Sequence, residues 1–183
     1  MKIYYREKSG GIEILRCFGI EGRVEIPGMI DGKLVISAAP YAFSSHMDEK
    51  EELKNASLWE VSEGLGFGRE EHVLAGNDVE EIVFPDTLKE IGRYIFYGCG
   101  NLKKLEFSDS LMQIGCGAFT GCHALEKLTV HMRQGKKSGV KEMLGEMWQR
   151  IDVNFLYEYE EARLVFPEHY DCLLYTSDAA DDK

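Results

Sequence analysis

The chain has 183 residues and a mass of 20.8 kDa, with 44% hydrophobic and 29% charged residues and a formal net charge of −11. The acidic excess excludes nucleic acid as a partner, because phosphate contacts need clustered Lys and Arg to displace counterions. No apolar run approaches the roughly 20 residues of a membrane-crossing helix, and a chain of this size buries about 70% of its unfolded surface without covalent staples.

The N-terminal residues Met1-Lys2-Ile3-Tyr4-Tyr5-Arg6-Glu7 lack a basic segment followed by an apolar core, so no signal peptide is expected. Cys17, Cys99, Cys116, Cys122 and Cys172 are an odd number of thiols; with no export signal they read as free cysteines in a cytoplasmic protein. Residues 1–22 read as an N-terminal β cap, with Ile3-Tyr4-Tyr5 and Gly11-Ile12-Glu13-Ile14-Leu15 as short strands joined around Ser9-Gly10-Gly11. From Val24-Glu25-Ile26-Pro27 to Tyr41-Ala42-Phe43 runs a degenerate copy of a unit that recurs later. Its wider turn is placed at Asp31-Gly32, and Ala38-Ala39 stands where later copies have Ile-Gly.

Residues 44–78 are an insertion, and residues 44–81 hold 11 acidic against 3 basic side chains. Ser44-Ser45 before Asp48 and Glu49 reads as a helix start, with Leu53, Ala56 and Leu58 as its apolar side and Gly64-Leu65-Gly66-Phe67-Gly68 as its end. The repeat proper follows. Ile82-Val83-Phe84-Pro85-Asp86-Thr87-Leu88-Lys89-Glu90-Ile91-Gly92 aligns with Leu105-Glu106-Phe107-Ser108-Asp109-Ser110-Leu111-Met112-Gln113-Ile114-Gly115 at an offset of 23 residues. Phe96, Gly98, Cys99 and Leu102 recur as Phe119, Gly121, Cys122 and Leu125, and Leu128 and Val130 open a third copy. A fixed period of 20–29 residues with regular Leu, Ile and Phe predicts a solenoid of stacked coils, because one coil cannot cover its own apolar face.

Within each copy, apolar residues alternate with polar ones in a half-buried strand that turns at Pro85-Asp86 or Ser108-Asp109. The chain then returns through a short helical or irregular segment with Leu88, Ile91 and Phe96 (or Leu111, Ile114 and Phe119) pointing inward. Gly92 and Gly115 supply either a special backbone conformation or a close approach. The cap covers the apolar edge that the first coil would otherwise expose.

Ile26-Pro27, Ile91-Gly92, Ala118-Phe119 and Gly121-Cys122 resemble the I-P, I-G, A-F and G-C pairs of BspA-like leucine-rich repeats, over roughly residues 1–130. The resemblance implies a bacterial, non-enzymatic solenoid associated with adhesion or protein binding, often at the cell surface. Residues 23–130 are then the leucine-rich repeat solenoid. Val140, Met143, Leu144, Met147, Trp148 and Ile151 lie on one face of an amphipathic helix that closes the last coil. Val153, Phe155, Tyr157 and Tyr159 alternate as a strand, with Leu164-Val165-Phe166 as its partner, so residues 131–171 read as a capping helix and a partial α+β unit. Residues 172–183 resemble a translated sequencing-adapter end, the alternative being a disordered acidic tail. The fold class is α+β: a short leucine-rich-repeat solenoid with parallel strands, a β cap, a helical insertion and a C-terminal capping helix.

No catalytic, cofactor or metal site is expected. Cys99 and Cys122 occupy equivalent coil positions without a Cys-x-x-Cys knuckle, so they read as repeated core residues rather than a metal or redox pair. The five histidines fall in no catalytic motif, and Gly64–Gly68 lacks the strand and the Lys of a phosphate loop. The candidate partner-binding face lies on the strands, at Glu81, Val83, Lys104, Glu106, Lys127 and Thr129, where the charges either stabilise stacking or receive a protein partner. The expected function is a non-catalytic protein-interaction module. The alternative is an N-terminal repeat region of a larger protein with a catalytic C-terminal domain.

Overall fold

The computed structural model describes residues 1–61, 71–145 and 152–158. In chain order, β1 (Lys2–Lys8) and β2 (Gly11–Gly19) form a hairpin, and β3 (Arg23–Glu25), β4 (Met29–Ile30) and β5 (Lys33–Ala38) build the first coil. One helical turn, α1 (Glu49–Glu52), precedes β6 (Ser57–Glu60) and β7 (His72–Val73). The next coils contribute β8 (Glu81–Val83) and β9 (Glu90–Ile91), then β10 (Lys104–Ser108) and β11 (Gln113–Ile114). They are followed by β12 (Lys127–Arg133), the short helix α2 (Val140–Leu144) and β13 (Asp152–Glu158).

The alternating strands stack into a parallel five-stranded sheet in the order β13-β12-β10-β8-β3. Its register runs Val24–Ile82–Leu105–Leu128–Val153, so the predicted rows of apolar side chains are cross-strand neighbours. Phe84 stands in the next inward row, level with Phe107, its N–H donating to the Glu106 carbonyl at 2.9 Å. Leu105, Leu128 and Ile82 are fully buried between this sheet and a second one.

That second sheet corrects the expectation of a helical or irregular return. β9 and β11 are two-residue strands that continue a parallel ladder, β2-β5-β9-β11, with Ala38, Ile91 and Ile114 in register. Coils of equal length bring these segments level, and the backbone satisfies its polar groups across the stack. The Gly92 N–H donates to the Ala38 carbonyl at 2.9 Å and the Gly115 N–H to the Ile91 carbonyl at 2.7 Å. Close approach is the role of both glycines. A Cβ on Gly92 would meet the backbone of Ala39 and Pro40, and one on Gly115 the backbone of Gly92 and Arg93.

The third side of each coil carries the aromatic. Phe43, Phe96 and Phe119 form a column with centroid separations of 5.9 and 5.7 Å, and Phe84 packs against the first two. Phe43 and Phe96 are fully buried, whereas Phe119 at the end of the column is only partly so. In the first coil, the wide turn is a hairpin of β4 and β5. Asp31 and Gly32 both take left-handed φ there, 48° and 76°, as a two-residue hairpin of this hand requires.

Two expectations at the flanks are overturned. Among the described residues, the insertion holds one turn of helix instead of an amphipathic one. Leu58 lies on β6, which pairs antiparallel with β1, and β7 pairs antiparallel with β2, so the insertion extends the cap sheet. Its strands are held by main-chain bonds to an open edge, which no apolar spacing announces. Likewise, β13 does not start a separate unit: it adds a parallel rung to β12 over its whole length. Val140 and Leu144 of α2 are buried, and the Lys141 ammonium lies 4.6 Å from the Phe155 ring centroid, tying α2 to that rung. The rest of the predicted helix to Ile151, the Leu164-Val165-Phe166 partner and the tail lie outside the described residues.

Two predictions follow from this packing. Phe96→Ala should lower stability by about 3–5 kcal/mol and Phe119→Ala by less, measured as denaturation midpoints. Gly92→Ala and Gly115→Ala should each cost about 1–3 kcal/mol or more through overpacking. Gly139→Ala, which meets nothing within 4 Å, should stay within about 0.5 kcal/mol.

Candidate functional site

The strand sheet turns every second side chain outward, and the register decides which charges meet. One row reads Arg23–Glu81–Lys104–Lys127–Asp152, and the next Glu25–Val83–Glu106–Thr129–Asn154. Glu81 sits between two cations, 3.8 Å from Arg23 Nε and 3.8 Å from Lys104 Nζ. Lys104 and Lys127 are adjacent like charges, a mildly unfavourable pair flanked by Glu81 on one side and Asp152 on the other. At the edge of this face Lys103 reaches Glu80 at 3.1 Å, and Glu106 meets the His131 Nε2 at 3.2 Å.

The candidate residues are therefore brought together, with one exception. Lys104 and Lys127 are exposed, and Glu81, Val83 and Glu106 are partly exposed. Thr129 is only 5% exposed, a short side chain between the longer Glu106 and Asn154, and it offers a partner little surface. Exposed ion pairs of this kind add little stability. They shape a mixed-charge surface more than they hold it.

The repeated cysteines, read from their spacing as core residues, also make a hydrogen bond that the spacing did not disclose. Cys99 Sγ donates to the Phe43 carbonyl at 3.2 Å, and Cys122 Sγ donates to the Phe96 carbonyl at 3.3 Å, each thiol binding the preceding coil. Burial pushes the Cys99 thiol up to about 11 and those of Cys17 and Cys122 up to about 12, which suppresses the reactive thiolate. Cys116 is exposed. Among the described residues, no group of three or more His, Cys, Asp or Glu is placed to hold a metal ion.

Sequence reasoning missed two features on the third side of the coils. Arg16 of β2 is buried, and its Nη1 donates to the carbonyls of Ala42 at 3.1 Å and Ser44 at 2.6 Å. Its Nη2 lies 2.9 Å from Glu49 Oε1, so one guanidinium holds both the first aromatic turn and the acidic turn α1. Nothing in the alternation of β2 marks Arg16 as inward, because the insertion covers that face. The second feature is a cluster of Tyr41, Tyr94, Tyr97 and His46, in which Tyr41 and Tyr94 stack at 5.6 Å. Its signal was available: Tyr precedes Phe by two residues in both Tyr41-Ala42-Phe43 and Tyr94-Ile95-Phe96.

Parallel strands, equal coils and an inward residue at every repeat position define a leucine-rich solenoid. Residues 70–139 match the BspA type leucine rich repeat region (6 copies), so that stretch is similar to this family. Two solved structures are similar. One is a leucine rich cell surface protein of Faecalibacterium prausnitzii A2-165, with 19% identity and a TM-score of 0.44, covering 71% of this chain and 30% of that one. The other is a leucine rich repeat protein of T. pallidum, with 22% identity and a TM-score of 0.34, covering 84% of this chain and 79% of that one. The chain thus spans less than a third of the Faecalibacterium protein. No curated protein matches the chain.

The thiol environments generate a test. In native protein, a thiol reagent near neutral pH should modify Cys116 rapidly and Cys17, Cys99 and Cys122 at least about tenfold more slowly. Mass mapping of the labelled peptides checks this, and rapid labelling of both Cys99 and Cys122 would contradict their place in the core.

Proposed function

We propose that the chain is a non-catalytic protein-interaction module of bacterial type, which binds its partner through the strand face. The observation carrying this reading is the register that lines up Glu81, Lys104 and Lys127 on adjacent rungs, the two lysines exposed and Glu81 partly so. A rigid ladder presents such groups at fixed spacing, so little conformational entropy is lost on binding. Electrostatic complementarity of mixed sign supplies specificity and orientation more than bulk affinity. Val83 and Glu106, in the neighbouring row, complete the surface. A cytoplasmic location is part of this reading, supported by the free thiols of Cys17, Cys99, Cys116 and Cys122.

Charge reversal separates binding from folding here. Lys104→Glu combined with Lys127→Glu should reduce recovery of a cross-linked protein partner by at least about tenfold. Lys104→Ala should leave the denaturation midpoint within about 0.5 kcal/mol of the parent. Undiminished recovery with the double reversal would exclude the strand face.

A further inference from the structure

The third side of the coils bears a surface that the repeat does not need. Tyr41, Tyr94 and Gly117 occupy the same coil position, and all three take left-handed φ, 58°, 52° and 66°. Glycine accepts this conformation freely, whereas a bulky side chain there is strained by about 1–3 kcal/mol. Two coils nevertheless carry tyrosine, and the glycine of the third shows that stacking does not require a ring. The Tyr94 ring lies over Gly117, where a Cβ would collide with it. Tyr41 stacks on Tyr94 with an interplanar angle of 18°, and Tyr97 meets Tyr94 edge-on at 6.0 Å and His46 at 4.9 Å.

The three tyrosines are partly exposed and His46 is exposed. Among the described residues, the phenolic hydroxyls of Tyr41, Tyr94 and Tyr97 have no hydrogen-bond partner. These are the features of an interaction surface: rigid, amphipathic rings with unused polar ends. Charge then selects the partner. Arg16 binds the Tyr41 carbonyl at 3.4 Å and Glu49 at 2.9 Å, fixing the acidic turn beside the rings. Residues 48–54 hold four acidic side chains, Asp48, Glu49, Glu51 and Glu52, against Lys50 and Lys54, with Arg93 a further exposed cation beside Tyr94.

We infer that Tyr41, Tyr94, Tyr97 and His46, bordered by Asp48, Glu51 and Glu52, form a docking surface for an arginine-bearing segment of a partner protein. A guanidinium stacks on a tyrosine ring and offers paired donors to a carboxylate, which an ammonium cannot match. This surface is separate from the strand ladder and stands whether or not the ladder binds anything.

The test uses the full chain and a fluorescent peptide, Gly-Ser-Arg-Gly-Arg-Ser-Arg-Gly-Ser, at roughly 0.15 M salt, where charges beyond about 8 Å are screened. Anisotropy should show saturable binding that Tyr41→Gly with Tyr94→Gly weakens by at least about tenfold, and that the same peptide with lysine for arginine fails to match. Glycine suits both backbone positions, and far-UV circular dichroism checks the fold. Should that variant unfold, Glu51→Gln with Glu52→Gln, both outside the core, decides the matter by weakening binding at least about threefold. The inference is overturned by any of four results: no saturable binding, unchanged affinity in the variants, equal binding of the lysine peptide, or a neutral oligosaccharide taken up at the tyrosines in the peptide's place.

Discussion

Everything in this molecule depends on coils of one length lying level with their neighbours. The 23-residue spacing puts Ile82 beside Leu105 and Leu105 near Leu128, and it simultaneously aligns Ile91 with Ile114 on the second sheet. The two ladders and the phenylalanine column enclose one interior that no single coil could form. Gly92 and Gly115 set how closely the coils approach, because their backbones run against the coil before them. Dispersion and burial then act over the full length of the stack.

A stack of this kind has an exposed first edge, and the chain covers it twice. The β1–β2 hairpin continues the second sheet, and the insertion returns to lay β6 on β1 and β7 on β2. The insertion also re-enters the repeat neatly: the Gly76 N–H donates to the Phe43 carbonyl at 2.8 Å, the same oxygen that accepts from Cys99. Arg16 fastens this arrangement from inside. Its charge is tolerated there because three carbonyls and Glu49 meet its donors.

The core of the fold was legible because burial repeats with the coil, so that Phe84, Phe96 and Leu105 announce themselves by position. What escaped reading lacks that periodicity. β6 and β7 are joined to the cap by main-chain bonds, and Ser57–Glu60 shows no apolar alternation. β13 stands 25 residues beyond its neighbour rather than 23, which disguised it as a new unit. On the strand face, outward polar residues were identified by alternation, but the burial of Thr129 depends on the side chains beside it. The tyrosine cluster lacks that periodicity too, because the third coil carries Gly117 where the first two carry Tyr41 and Tyr94.

The Tyr41–Tyr94–Gly117 column has a consequence for how this gene can change. From Ile82 to Leu128 the coils are held to one another by contacts of a single phase, so within that stretch the unit of gain or loss that keeps register is a whole 23-residue turn. Duplicating Leu102–Ala124 would simply lengthen both ladders. Deleting one codon between Phe107 and Phe119 would rotate an aromatic into solvent and throw every later rung out of step.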